Sequence, residues 1–234
     1  MVRENILKIQ ERIRSACIKA KCDLSSVTIV AVSKGRTVTQ IVEAIRAGMS
    51  DIGENRVQEA LLKYKELLTM NHEPLTIKWH MVGHLQTNKV REAVKIFDLI
   101  HSVDSLRLAR EINKQAAKIN KIQDILIEVK TSGEATKFGA TPSQTPGLVK
   151  EICALKNISL RGLMTIAPLV DNPEKARPYF KTLRELKDRV NHELRTMNYE
   201  LNILSMGMTD DFEVAIEEGA NMVRIGRAIF DVSS

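Results

Sequence analysis

The sequence predicts an α/β protein, a closed (β/α)8 TIM-type barrel with an extra N-terminal helix, and three observations predict it. Eight strand-length apolar runs alternate with helical stripes along 234 residues, and such alternation demands a parallel sheet. No linker rich in proline, glycine or serine interrupts it, so residues 1–234 read as one domain, near the length of about 250 residues typical of this barrel. A helix, a glycine stop and a strand recur. Ala44-Ile45-Arg46-Ala47-Gly48 leads to Ile52-Gly53-Glu54-Asn55, and Ala215-Ile216-Glu217-Glu218-Gly219 leads to Val223-Arg224-Ile225-Gly226, which marks two equivalent units. An open doubly wound sheet is the alternative arrangement of the same elements.

The elements follow in order. Residues 3–20 are an amphipathic surface helix. Thr28, Ile29, Val30, Ala31 and Val32 make a strand apolar on both faces, as a buried parallel strand is. Val38, Ile41, Val42 and Ile45 keep helical spacing up to the stop at Gly48. A strand over 50–55 precedes the helical stripe Val57, Ala60, Leu61, Tyr64, Leu67 and Leu68. A strand over 76–83 precedes a helix with Val90, Val94 and Phe97, opened by Asn88 and Lys89. The fourth strand, 99–103, leads to Leu106, Ala109, Ile112, Ala116 and Ile119 on a helix. The fifth, 124–130, leads to a polar loop over 131–144. A helix over 148–155, a strand over 160–166 and a long helix carrying Ala176, Tyr179, Phe180, Leu183, Leu186 and Val190 come next. A strand over 201–207, a helix over 210–218, a strand over 222–226 and a short terminal turn or helix over 227–230 complete the chain.

Composition excludes several classes. Hydrophobic residues reach 44% and aromatics only 4%, so aliphatic packing fills the core. The net charge of +6 comes from 35 basic and 29 acidic residues with no basic run, which argues against a nucleic-acid arm and leaves a weak general pull on anions. Three cysteines, Cys17, Cys22 and Cys153, make no disulfide framework or metal spacing. No stretch has signal-peptide or membrane-span character, and the protein is expected in the cytoplasm.

Chemistry in such a barrel collects at the carboxyl ends of the strands. Strand one then delivers Lys34 and strand two Asn55. Strand three carries His80 and Gly83, and strand six ends near Met164 and Thr165. Strand seven ends in Ser205, Met206 and Gly207, and strand eight in Arg224 and Gly226. A lysine pressed on an apolar wall loses hydration, and its neutral amine can condense with a carbonyl compound. The plain alternative is a lysine carrying its charge from a strand end into water. Phosphate sites in this fold often form after strands seven and eight. Here Ser205 supplies a hydroxyl, and Gly226 and Arg227 open a helix with free N–H groups. An amine, a phosphate cradle and a buried arginine at one mouth fit a phosphorylated aldehyde cofactor.

Other residues have plainer readings. His80 is either a satisfied interior histidine or a cofactor neighbour, and Met164 and Met206 favour packing. Thr209 reads as a helix cap with Asp210 and Asp211 in the first turn. Glu54 either orients Asn55 or faces water. Lys137 and Gly139 read either as a lid over the site or as an ordinary loop.

Five stretches then carry a resemblance: Ala31-Val32-Ser33-Lys34; Ile52-Gly53-Glu54-Asn55-Arg56-Val57-Gln58-Glu59; Trp79-His80-Met81-Val82-Gly83-His84-Leu85-Gln86-Thr87-Asn88-Lys89; Ser205-Met206-Gly207-Met208-Thr209-Asp210-Asp211; and Met222-Val223-Arg224-Ile225-Gly226-Arg227-Ala228-Ile229-Phe230. They resemble the pyridoxal phosphate homeostasis protein family, a single-domain family similar to the N-terminal barrel of alanine racemases. The resemblance implies a barrel that binds pyridoxal 5′-phosphate (PLP), with Lys34 as the Schiff-base lysine. It sets Arg224 against the pyridine nitrogen, Ser205 and the Gly226 and Arg227 backbone on the phosphate, and Asn55 beside the cofactor. His80, Met164, Met206 and Gly207 share the mouth and complete the expected cofactor-binding set. The implied role is vitamin B6 homeostasis, holding the cofactor and delivering it to apo PLP-dependent enzymes.

The chain departs from the family pattern at three places. Arg227 replaces a small or hydroxyl residue, which spares a backbone contact to phosphate but not a side-chain one. Asp231 replaces a common glycine and is expected to loosen the last turn. Lys130 stands where an uncharged polar residue is usual.

An arginine stays charged and only donates hydrogen bonds, so it favours an unprotonated ring nitrogen and a weak electron sink. Racemases with the same arginine draw a second base from another domain, and general-base help is worth roughly a hundred- to ten-thousand-fold. The expectation is a monomeric carrier without catalytic turnover. The alternatives are a PLP-dependent amino acid racemase with weak activity, and a lyase or aldolase using a lysine imine on a sugar phosphate.

Overall fold

The computed structural model describes residues 1–70, 77–133, 138–197 and 199–231. Parallel strands β1 (Thr28–Val32), β2 (Asp51–Glu54), β3 (Lys78–Met81), β4 (Leu99–Val103), β5 (Gln123–Glu128), β6 (Ile158–Met164), β7 (Ile203–Ser205) and β8 (Met222–Ile225) close into a barrel in chain order. The seam joins β1 to β8, with Ala31 opposite Ile225. The helices are α1 (Val2–Ala20), α2 (Val38–Arg46), α3 (Val57–Met70), α4 (Val90–Ile96), α5 (Leu106–Ala117), α6 (Thr145–Cys153), α7 (Arg177–Leu194), α8 (Phe212–Glu217) and α9 (Arg227–Phe230). The expected (β/α)8 barrel with its extra N-terminal helix is what forms; the open sheet is not.

Most strands stop one or two residues before the expected end, because those residues leave the ladder to build the mouth. Ile119 falls outside α5 and is exposed, since the chain turns through Asn120 at φ 52°. Position 76, where strand three was expected to start, lies outside the described residues, as does Lys137.

Local chemistry sets the exit of β1. Gln40 N–H donates to the Thr37 hydroxyl at 3.3 Å, and Thr37 N–H donates to the Gln40 side chain at 3.1 Å. This reciprocal capping box starts α2 five residues after the strand.

Helix α1 is more than a surface helix. Ile6, Ile9 and Ile13 are fully buried against the barrel, each worth about 1.5–3 kcal/mol, and the helix packs against α8, α9 and α2. The Asn5 amide donates to the Ile229 carbonyl at 3.0 Å and the Asp231 carbonyl at 3.1 Å. Arg12 grips Glu213 through two nitrogens, at 2.7 and 2.9 Å. Asp231, expected to loosen the last turn, ties it instead, because its carboxylate pairs with Arg36.

Side chains alternate across the sheet. Ala31, Ile52, Met81 and Ile100 face the main core beneath the helices. Val30, Val82, Leu99, Leu126, Met164 and Met222 form a small separate cluster inside the barrel. Branched aliphatic residues dominate such interiors; this one also holds Asp51, His80, His101, Ser205 and Arg224, all buried. Among the described residues no helix is long and apolar enough to cross a membrane.

Candidate functional site at the barrel mouth

Lys34 lies in the turn just after β1 and its side chain is exposed. The expected desolvation against an apolar wall is therefore corrected: two residues past the ladder, the amine has left the core. The turn is nonetheless rigidly held. Ser33 N–H donates to the Gly53 carbonyl at 2.9 Å, and Gly35 N–H donates to Glu59 at 2.6 Å. The buried Lys63 ammonium donates to the Ser33 carbonyl at 2.6 Å, to Glu54 at 2.6 Å and to Glu59 at 2.7 Å. Glu54 neither orients Asn55 nor faces water; it is fully buried and accepts from Ser33 and Lys63. Burial pushes the Glu54 carboxyl up against the opposing pull of Lys63 and Ser33. Burial also pushes Glu59 up, but Lys63 and the Gly35 N–H outweigh it and hold that carboxyl below its usual range.

Neighbouring strand ends meet closely here. A Cβ on Gly226 would stand 3.1 Å from the Val32 carbonyl oxygen, so the exits of β8 and β1, and with them Gly226 and the Lys34 turn, adjoin. A Cβ on Gly83 would stand 2.4 Å from the Asn55 carbonyl oxygen, so only glycine lets the exits of β2 and β3 touch. Half-buried Asn55 lines a cavity of about 440 Å³ with Arg56, Gly83, His84, Gln86 and Lys89. The Arg227 side chain turns outward to pair with Asp210, leaving its backbone on the rim.

Arg224 is buried beneath. It donates to the Ser205 carbonyl at 2.8 Å, the Ser205 hydroxyl at 2.7 Å and the Thr165 carbonyl at 2.8 Å. Burial lowers its pKa to about 10 while Glu128 and Asp211 pull it upward, so it stays charged at neutral pH. Burial raises the nearby Glu128 to about 7, against the pull of Arg224 and with a push from Asp104.

The structure sorts the expected residues. Lys34, Asn55, Gly226 and Arg227 reach the rim, with Arg224 below them. The Ser205 hydroxyl lies inside the barrel, between Arg224 and His101 Nδ1 at 3.0 Å, rather than at the rim. His80 is a satisfied interior histidine, with Nε2 2.9 Å from Asp51 and Nδ1 3.0 Å from His101. Met164 packs inside the barrel and Met206 in the outer core. Gly207, at φ 89°, makes the tight turn after β7.

Thr209 does not cap α8. Asp211 takes the N-cap position, and its carboxylate accepts from Met208 N–H at 2.6 Å. Half-buried Thr209 has no hydrogen bond among the described residues. At Gly139 the loop is anchored: Ala140 N–H donates to the Glu128 carbonyl at 2.8 Å, which folds the loop's return onto the end of β5, and Phe138 stacks on His84 at 3.7 Å. Asn88 and Lys89 lie in the short 3₁₀ turn that opens α4, as expected. Among the described residues Lys130 is tied down through its backbone alone, its N–H donating to the Ala140 carbonyl at 2.9 Å.

Sequence reasoning missed His101, Lys63 and Glu128. His101 had a visible signal, a histidine inside the apolar strand β4, and so did Lys63, four residues after Glu59 on one helix face.

The family model described as "Alanine racemase, N-terminal domain" matches residues 2–234. The "Pyridoxal phosphate homeostasis protein" of Aquifex aeolicus is 45% identical over 227 residues, 97% of this chain and 96% of that protein. The protein of the same name from Pseudomonas aeruginosa is 40% identical over 98% of this chain and 94% of its own. Among solved structures, PipY of Synechococcus elongatus with PLP bound overlays at TM-score 0.85 and 33% identity, covering 98% of this chain and 100% of that one. An alanine racemase of Clostridium difficile, 16% identical at TM-score 0.70, shares the fold over 95% of this chain and 60% of its own.

Proposed function

Because the chain belongs to the pyridoxal phosphate homeostasis protein family, built on the alanine racemase N-terminal barrel, we propose that it binds PLP at the barrel mouth and acts in vitamin B6 homeostasis and delivery. The observation that carries this is the seam between β1 and β8. There the turn that carries exposed Lys34 adjoins Gly226, where a side chain would crowd the Val32 carbonyl, and charged Arg224 lies below. Amine, open glycine cradle and buried donor match the three handles of PLP: aldehyde, phosphate and ring nitrogen.

When bound, PLP supplies an electrophilic aldehyde carbon to a primary amine. Lys34 offers that amine from a turn whose backbone is pinned on both sides, so only its side chain has to be ordered. Backbone N–H groups at Gly226 and Arg227 suit the phosphate, joined by the Gly207 turn and the unengaged Thr209 hydroxyl. Ser205 acts through Arg224, whose guanidinium can only donate and so favours a ring nitrogen kept as an acceptor. Asn55 flanks the site, while His80, Met164 and Met206 support it from within. This reading has a monomeric, cytoplasmic barrel passing its cofactor to apo PLP-dependent enzymes.

The test is visible absorbance of PLP-loaded wild type beside Lys34→Ala, followed by borohydride reduction and mass spectrometry. The expected result is a yellow wild type with the cofactor mass fixed on Lys34, and a colourless variant. A wild type that takes up no PLP, or carries it equally well without Lys34, overturns the proposal.

A further inference from the structure

Five buried side chains join end to end through the barrel interior. Arg224 Nη1 lies 2.7 Å from Ser205 Oγ, and Ser205 Oγ lies 3.0 Å from His101 Nδ1. His101 Nε2 lies 3.0 Å from His80 Nδ1, and His80 Nε2 lies 2.9 Å from Asp51 Oδ1. Asp51 is the first residue of β2, at the barrel end opposite the mouth, and also accepts from the Ser50 hydroxyl at 2.5 Å. One string therefore spans the barrel from the floor to the arginine beneath the candidate cofactor site.

Donor and acceptor chemistry gives the string a direction. Arginine has no acceptor, so Ser205 Oγ receives its proton and turns its own hydrogen toward His101 Nδ1. A neutral His101 then carries its hydrogen on Nε2 and donates to His80 Nδ1. His80 in turn carries its hydrogen on Nε2 and donates to the Asp51 carboxylate. The string ends on a group that, ionised, only accepts. Run in reverse, it would leave the Ser205 hydrogen without a partner and require a second positive charge on His80 in the interior. An unmet buried donor is costly, and an extra buried charge costs more. Two shifts agree. Burial, then His80 and Arg224, hold His101 well below its ordinary value. Burial pushes Asp51 up, but His80 and Ser50 outweigh it and keep that carboxyl low.

We propose that Asp51, His80 and His101 are positioning residues that act through Ser205 on Arg224, a single-direction hydrogen-bond string that fixes the arginine's orientation toward the mouth. The part that concerns PLP rests on the function proposed above. A second proton on either ring would set a donor against a donor or leave the Ser205 hydrogen without a partner, so the string disfavours a second positive charge beside Arg224.

The experiment uses the apo protein with ¹⁵N-labelled histidine and arginine, as wild type, His101→Leu and His101→Gln. Glutamine keeps an acceptor toward Ser205 and a donor toward His80; leucine keeps neither. In wild type both rings are expected neutral with hydrogen on Nε2 at pH 7. His101→Leu should leave the His80 hydrogen on Nε2, where Asp51 holds it, but shift the Nδ1 signal that has lost its donor and shift the Arg224 side-chain signals, and His101→Gln should restore both. With PLP added, His101→Leu should weaken binding about tenfold, roughly the worth of one hydrogen bond, and His101→Gln should bind within about threefold of wild type. A doubly protonated His80, hydrogen on Nδ1 of either ring, or unmoved Arg224 signals in His101→Leu would overturn the string. If wild type binds no PLP while the apo spectra behave as expected, the proposed function fails and the string stands.

Discussion

Lys63 donates to the main-chain carbonyl of Ser33 at 2.6 Å, one residue before Lys34. A buried ammonium from α3 thus holds the turn that presents the candidate cofactor lysine, together with Glu54 and Glu59.

Lys63→Met removes the cation and leaves Glu54 buried without it. Breaking a buried pair from one side costs about 3–5 kcal/mol, and urea unfolding should show a loss of that size. Lys63→Met with Glu54→Gln should recover part of it, since the stranded charge is gone. Lys34→Ala, at an exposed position, should stay within about 0.5 kcal/mol of wild type.

Glu128→Gln should gain stability over wild type progressively from pH 4.5 to 7 and keep that gain at higher pH. The folded value of about 7 lies above the ordinary 4.5, so the folded protein binds the extra proton in that window. The stability this carboxyl contributes is full below pH 4.5 and is lost as pH rises through 7. At pH 8 the ionised form costs the fold about 3 kcal/mol; the glutamine variant should gain that much there and nothing near pH 4. Parallel pH curves for the two proteins would reject the prediction.

His101 works with the opposite sign. Its folded value is depressed from 6.5, so the unfolded chain takes up a proton first as pH falls. Stability attributable to this ring is present above pH 6.5 and drains below it, by up to about 1.4 kcal/mol per pH unit. The difference between wild type and His101→Gln, followed by chemical unfolding from pH 7.5 to 4.5, should be flat above 6.5 and slope below. Glu128 masks this in wild type, because its contribution grows over the same interval.

Gly207→Ala should be severe. At φ 89° an added Cβ would meet Ala215 Cβ at 2.6 Å and Phe212 Cα at 2.9 Å, so left-handed strain and a clash with α8 combine. A loss of about 1–3 kcal/mol is expected from the backbone conformation alone, measurable as a lowered unfolding midpoint. Gly147→Ala, with nothing near the built Cβ, is the control and should be close to neutral.

Element order was legible because short apolar runs alternate with stripes of period 3.6 along the chain. Lys34, Asn55 and Gly226 followed from the rule that strand ends line the mouth. Direction across the sheet was not legible. A short parallel strand is apolar on both faces, so nothing in Leu204-Ser205-Met206 says that the serine looks inward to Arg224. Depth failed for the same reason: Glu54 beside Asn55 looks like a rim residue until Lys63, on the following helix, is brought onto it. The partners of His80, Asp51 and His101, lie on strands 29 and 21 positions away, a grouping that only the pairing of β2, β3 and β4 creates.

The Asn5 amide holds the carbonyl of Ile229, 224 positions downstream, and the β1–β8 seam spans nearly as much. During synthesis, therefore, the first helix and strand leave the ribosome long before anything exists to cover them. An open parallel sheet with bare edges is prone to pair with other chains, so the nascent protein should depend on holding chaperones until its last thirty or so residues appear. Circular permutants that begin at α8 and join the natural ends through a linker would bring clamp and seam together early, and should refold faster with less aggregation.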